Sequence, residues 1–243
     1  MQISFRDKLV LITGGTRGIG RQLAIEFLAL GGKVVITGTS PEMNQDLVNS
    51  NLTYHSVDFQ SREDIHNFTK FLLSFEKIDV CINNAGINRI NYIENTLDQD
   101  LDDMFSVNII APFLITRTVA GIMKKKSFGR IVNIASIFGS VSREKRSIYT
   151  MSKYAVRGLT VSASNELAKY NVLVNTVSPG FVMTDLTKKN LSDSEIKSLE
   201  AQIPIGRLGK PEEIAKVVLF LVSDNNTYLT GQNIIVDGGF VNV

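Results

Sequence analysis

The sequence predicts a doubly wound parallel α/β sheet of three layers, in one domain spanning residues 1–243. Two observations carry that prediction. Short β-branched runs alternate with longer stretches of helical period, and most of the runs are continuously apolar, as strands covered on both faces must be. The strict β-α-β-α order then requires right-handed crossovers that place helices on both sides of the sheet. Candidate strands lie at 9–13, 33–37, 53–57, 78–82, 130–134, 172–177 and 233–236, and candidate helices at 18–31, 61–75, 97–124, 147–170 and 211–223. The first helix carries Leu23, Ile25, Phe27, Leu28 and Leu30 as an apolar stripe, and Gly31-Gly32 stops it. Ser61 with Asp64 caps the second, and Pro211 suits the first turn of the last. Residues 184–204 are polar, weakly helical and follow a strand; they form a candidate substrate lid or a surface excursion. No linker, repeat or low-complexity tract divides the chain.

Composition narrows the function classes. With 44% hydrophobic and 21% charged residues, a disordered or fibrous chain is excluded, and 243 residues suffice for a sizeable core. A formal net charge of +2 lacks the basic excess of a nucleic-acid or anionic-membrane binder, so neither partner is expected. Cys81 is the only cysteine, which fits a reducing compartment. No apolar leader or run of membrane-spanning length is evident, and the expected location is the cytoplasm. His55 and His66 have no partners at metal-ligand spacing, so no metal is expected. Asp102-Asp103 reads as a solvated helix face rather than an acid pair.

In such a sheet ligands sit beyond the carboxyl ends of the strands, where the strand order reverses. After the first strand comes Thr13-Gly14-Gly15-Thr16-Arg17-Gly18-Ile19-Gly20, leading into a helix. Gly14 suits a tight turn, Gly18 lets the backbone approach a pyrophosphate, and Gly20 lets helix pack on strand. The helix N-terminus offers unpaired N–H groups to phosphate. The second strand ends Thr37-Gly38-Thr39-Ser40, without the acid that would accept a ribose 2′-OH. Arg17 and Thr39 suit a 2′-phosphate instead, so NADP(H) is expected in preference to NAD(H). Asp58-Phe59 after the third strand and Asn83-Asn84-Ala85-Gly86 after the fourth are further contacts to the nucleotide or ordinary strand-ending turns.

Of six tyrosines, only Tyr149 is followed four residues later by a lysine, Lys153. On a helix those positions share a face. A phenol is a poor acid–base catalyst near neutrality, but an ammonium about 5–6 Å away favours its anion by roughly 3 kcal/mol at an effective dielectric of ~20. Ser136, beyond the fifth strand, is placed to polarise the same carbonyl. Asn108 falls inside the long helix, where Asn is a poor helix former; it marks a helix kink, a buried amide satisfied elsewhere, or a residue that binds a water linking Lys153 to solvent.

The ordered set resembles the short-chain dehydrogenase/reductase family. It comprises the 13–20 glycine loop, Asn83-Asn84-Ala85-Gly86, Asn108, Ser136, Tyr149-Thr-Met-Ser-Lys153, Ser178-Pro-Gly-Phe-Val-Met-Thr184 and Asp237-Gly-Gly239. The resemblance implies a seven-stranded Rossmann sheet and a catalytic tetrad of Asn108, Ser136, Tyr149 and Lys153. It implies hydride exchange with nicotinamide, with Tyr149 as general acid in reduction and general base in oxidation. Pro179, Gly180, Val182 and Thr184 would lie along the cofactor, Val182 on the carboxamide and Thr184 on the phosphates. The family further implies a homotetramer and a small-molecule or thioester carbonyl substrate.

Within the family the chain most resembles bacterial 3-oxoacyl-(acyl-carrier-protein) reductases. It departs from them at Ser127 and Tyr170, where carrier-docking cations are expected, and in the charged stretch Ser142-Arg-Glu-Lys-Arg-Ser147. That stretch leaves a polar or anionic substrate, such as a sugar derivative or carboxylated ketone, as the alternative. An epimerase or dehydratase would need a longer C-terminal domain, and a cofactor-sensing protein without chemistry would not need to keep Ser136, Tyr149 and Lys153.

Overall fold

The computed structural model describes residues 3–43, 47 and 49–243. Its strands are β1 (Leu9–Ile12), β2 (Lys33–Gly38), β3 (Leu52–Ser56), β4 (Val80–Asn83), β5 (Gly129–Ile134), β6 (Val172–Pro179) and β7 (Asn233–Val236). They form one seven-stranded sheet in the order β3-β2-β1-β4-β5-β6-β7, with every pairing parallel. The expected architecture is therefore the observed one. The order reverses between β1 and β4, so the crevice beyond Ile12 and Asn83 is where a ligand belongs.

The helices are α1 (Gly18–Ala29), α2 (Arg62–Leu72), α3 (Asp98–Phe105), α4 (Ala111–Lys126), α5 (Ser147–Leu167), α6 (Asp185–Asn190), α7 (Asp193–Glu200) and α8 (Pro211–Val222). Alternation along β1 sorts the core. Val10 and Ile12 pack with Leu23 and Phe27 of α1 and with Val218 of α8. Leu11 faces the other way, onto the layer of Phe68, Ile115, Val119 and Leu167 from α2, α4 and α5. Ser61 caps α2 as expected, its Oγ accepting from Asp64 N at 3.1 Å, and Pro211 opens α8.

One expectation needed revision and one is sharpened. The long helix runs from Asp98 to Lys126, but it contains a π-helical turn at Ser106–Ile110. The cause is legible: Pro112 has no N–H to give to the carbonyl of Asn108, so the α-helical ladder breaks there. This helix is also long and apolar enough, at a mean hydropathy of 1.5, to meet the length and composition of a membrane span, contrary to the sequence reading. Half of that stretch is buried, with Ile115, Val119 and Met123 inside the core. Second, residues 184–204, expected to be weakly helical, hold two defined helices, α6 and α7, the latter opened by a full capping box between Ser192 and Glu195.

A buried polar ladder ties the central strands together near their carboxyl ends. Asn83 donates to Asn133 Oδ1 at 2.7 Å and to Thr116 at 3.0 Å, and Asn133 donates to Thr160 at 2.8 Å. Thr160 in turn meets Thr176 at 2.7 Å, linking β4, β5, α5 and β6. Satisfied networks of this kind fix strand and helix positions where chemistry needs precision.

Candidate active site

The glycine loop is shaped from behind by β4. The Asn84 amide donates to the carbonyls of Thr13 at 2.9 Å and Gly14 at 3.0 Å, while Thr13 Oγ1 accepts from the N–H groups of Asn84 and Ala85. Asn84 thus holds the loop instead of presenting its side chain to a nucleotide. Gly18 sits at φ +54°, where a side chain would be strained, and a Cβ on Gly20 would lie 2.2 Å from the carbonyl oxygen of Gly14. The loop delivers the N-terminus of α1 with no side-chain cap and no acidic residue in its first turn. Thr184 lies over that N-terminus, its methyl 3.5 Å from where a Gly18 Cβ would be.

These features fit a dinucleotide. Uncapped N–H groups of α1 suit the pyrophosphate. Arg17 and Thr39 are exposed at the ends of the loop and of β2, and Thr16 packs over Gly38, whose Cβ would meet it at 2.6 Å. Asp58 is exposed, with one carboxylate oxygen taken by Gln60 N at 3.0 Å and the other without such a bond. Phe59 can serve a cofactor only through its backbone, because its ring is buried against Phe68.

At the other end, Pro179 and Gly180 bring β6 against β7, with Gly180 close enough that a Cβ would lie 2.7 Å from that of Asp237. Phe181 and Met183 pair with Gly209, and the Val182 carbonyl accepts from Thr187 Oγ1 at 2.9 Å. The Val182 N–H is left available for a carboxamide.

Between these two ends the four predicted reacting residues converge. Ser136 lies two residues beyond β5, and its Oγ accepts from Phe138 N at 3.2 Å, which leaves its proton to be donated on the Tyr149 side. Tyr149 and Lys153 stand one turn apart on α5, with the ammonium 5.5 Å from the centre of the phenol ring. Lys153 is buried and gives one hydrogen bond, to the Ile134 carbonyl at 3.1 Å, leaving two of its three protons for a ribose or water. Gly86 leaves room between Lys153 and Asn108: a Cβ there would be 3.5 Å from Nζ and 3.4 Å from Asn108 Oδ1. The Asn108 side chain is fixed by the Ile87 N–H at 2.9 Å, the Ile87 carbonyl at 2.9 Å and Ser152 Oγ at 3.1 Å. Its side chain is therefore committed, and the backbone carbonyl freed by Pro112 is the group left for a water.

The electrostatics differ in part from the sequence expectation. Burial raises the Tyr149 phenol above its ordinary value, and hydrogen bonding to Ser136 and the charge of Arg146 pull it back down. Burial lowers Lys153 from 10.5 to about 8. The expected spacing of the pair is present, and the phenol also feels the charge of Arg146, which sequence reasoning placed only among the charges of the mouth. The signal was there: Arg146 lies only three residues before Tyr149, at the N-cap of α5.

A cleft of about 710 Å³ opens onto Ser136 and Tyr149. Phe138, Phe181, Leu191 and Leu199 line its apolar side, and Arg143, Lys145 and Arg146 its mouth. Thr187, Ser198 and Gln202 place α6 and α7 over it. Among the described residues no cluster of three or more metal-ligating side chains occurs.

Comparison with known proteins agrees with this geometry. The family model described as enoyl-(acyl carrier protein) reductase matches residues 14–241. The 3-oxoacyl-[acyl-carrier-protein] reductase FabG of Aquifex aeolicus is 39% identical, over 98% of this chain and 99% of that protein. A solved Agrobacterium tumefaciens protein provisionally called a gluconate dehydrogenase superposes with a TM-score of 0.93 at 28% identity, covering all of both chains. The solved structure of ElxO with NADP bound superposes at 0.90 with 32% identity, covering 97% of this chain and 99% of that one. On the model match and on the full-length relatives, this chain belongs to the short-chain dehydrogenase/reductase family of NAD(P)-dependent oxidoreductases, which act on CH–OH/C=O couples.

Proposed function

We propose that the chain is an NADP(H)-dependent reductase that interconverts a ketone and a secondary alcohol, with a 3-oxoacyl thioester as its leading substrate class. The observation that carries this reading is the convergence of Ser136 and Tyr149 on the cleft, with Lys153 buried one turn further along α5. The bound cofactor supplies a hydride from nicotinamide C4. Gly14, Thr16, Gly18, Ile19 and Gly20 hold its pyrophosphate with Thr184, while Arg17 and Thr39 take the 2′-phosphate. Asp58, the Phe59 backbone, Ala85 and Gly86 border the adenosine and ribose side. Pro179, Gly180 and Val182 border the nicotinamide.

Ser136 donates to the substrate carbonyl and Tyr149 protonates the forming alkoxide; in oxidation the phenol takes that proton back. A high phenol value suits the reductive direction, because Tyr149 keeps its proton at neutrality. Lys153 stabilises the transient phenolate, and its own low value lets it be resupplied through a water on the Asn108 carbonyl. The 3-oxoacyl thioester class rests on full-length identity to the Aquifex aeolicus reductase. A second reading, a polar or carboxylated substrate, is favoured by the three cations at the cleft mouth.

The protein works as a cytoplasmic homotetramer with no nucleic-acid or membrane partner. Exposed Met151, Tyr154 and Val161 form one stripe of α5, and Phe113 extends it on α4, an apolar face suited to another copy. Acetoacetyl thioesters, ketoses and keto acids offered with NADPH or NADH, followed by cofactor absorbance, test the assignment. Turnover with NADPH at least about tenfold above NADH is expected, since a charge-assisted Arg–phosphate contact contributes about 1.5–3 kcal/mol. Equal use of NADH, or no turnover of any ketone, would contradict it.

A further inference from the structure

Arg146 is the N-cap residue of α5, half-buried, on the wall of the cleft that holds Ser136 and Tyr149. Its guanidinium lies 5.5 Å from the centre of the Phe138 ring, and the same ring meets Tyr149 edge-on at 6.2 Å. The side chain is thus positioned by stacking and not by an anion. Among the described residues the ion pairs are Lys8–Asp224, Lys77–Asp79, Arg89–Asp100 and Arg207–Glu213, and none involves a cleft cation.

Arg143 and Lys145 continue the positive wall outward, and Lys145 lies 4.5 Å from the centre of the Tyr92 ring. Two carboxylates line the same cleft. Glu195 is committed to its capping box, accepting from Ser192 N at 2.8 Å and Ser192 Oγ at 2.7 Å. Glu144 is exposed between the cations. The net result is a planar five-donor group at the N-cap of α5, sharing the Phe138 ring with the reacting phenol, with no donor spent on an ion pair or hydrogen bond among the described residues.

We propose that Arg146 is a specificity-determining residue that anchors an anionic oxygen-acid group of the substrate while its carbonyl lies at Ser136 and Tyr149. The inference rests on the reductase reading above and narrows its substrate class. The anion has two chemical sources: a carboxylate a few bonds from the ketone, or a phosphate on the arm of a thioester. A guanidinium recognises both by paired hydrogen bonds, which a lysine reproduces only in part.

Four probes separate the sources: acetoacetate against ethyl acetoacetate, and acetoacetyl-coenzyme A against the uncharged acetoacetyl N-acetylcysteamine thioester. Wild-type enzyme is expected to favour at least one anionic probe over its neutral partner by more than about tenfold in kcat/KM, mainly through KM. In Arg146→Gln that ratio is expected to fall towards one, with Arg146→Lys restoring it partly. The pair that shows the effect identifies carboxylate or phosphate. A wild-type ratio near one in both pairs, or a ratio unchanged in Arg146→Gln, would overturn the anchor.

Binding without chemistry keeps the two claims apart. Titrating the same probes into Tyr149→Phe enzyme loaded with NADPH is expected to show tighter binding of the anion, lost when Arg146→Gln is added. Anion preference in binding with no turnover of any probe by wild-type enzyme would sink the reductase reading and leave the anchor standing. Turnover without preference would do the reverse.

Discussion

Lys153 is the residue on which burial and function pull hardest against each other. Folding moves it from 10.5 to about 8, so between those values the unfolded chain holds more protons and stability rises with pH. Below about 8 the full penalty is present, an upper bound of about 3 kcal/mol. Lys153→Met should therefore melt above the wild type at pH 7, with the gap closing as pH rises from about 8 towards 10.5; a lower melting temperature at pH 7 would contradict this. Tyr149 and Lys153 were legible in the sequence because their spacing alone places them together. What spacing could not supply was the balance of forces on the phenol, which depends on how completely the surrounding β5 and β6 ends exclude water. The same holds for Phe59, whose burial against Phe68 is a tertiary fact, and for Asn84, whose amide turns back onto the loop.

At the scale of elements, the strand–loop–helix unit from Leu9 to Ala29 is the part most nearly written in the chain. Its glycines are demanded by contacts that no other residue permits. Gly20→Ala would drive a Cβ into the Gly14 carbonyl and the Asn84 amide. NADPH affinity should fall by at least about tenfold while the folded state survives, as read by cofactor fluorescence and circular dichroism; unchanged affinity would show that the loop has slack. The π turn at Ser106–Ile110 was hidden for a different reason. Apolar periodicity runs through it, and the local signals are Asn108, which also fits a buried amide, and Pro112, which on its own also fits the first turn of a helix. The helices over the cleft, α6 and α7, fall where the sequence is polar and reads as only weakly helical, and the capping box of Ser192 and Glu195 is the signal that sharpens it.

For the whole molecule, the open question is what covers the outer face of α4 and α5. Met151, Tyr154, Gly158 and Val161 recur at three- and four-residue spacing on α5, and no heavy atom lies within 4 Å of where a Gly158 Cβ would be. A small residue inside an apolar stripe lets a second helix approach closely. Val161→Glu should shift the sedimenting species from tetramer to dimer or monomer, with the cleft and sheet intact; an unchanged tetramer would place the interface elsewhere. Burial accounts for much of the apolarity of Asp98–Lys126: one side, with Ile115, Val119 and Met123, fills the core.

The central claim is that the Tyr149 hydroxyl transfers the proton while the rest of the cleft only holds and polarises. Single-turnover oxidation of NADPH by an acetoacetyl thioester, in wild type and in Tyr149→Phe, measures that directly, with NADPH affinity determined on the same samples. The account predicts unchanged affinity and a rate lower by roughly 10²–10⁴-fold, the usual range for a positioned acid. An undiminished rate in Tyr149→Phe would contradict it.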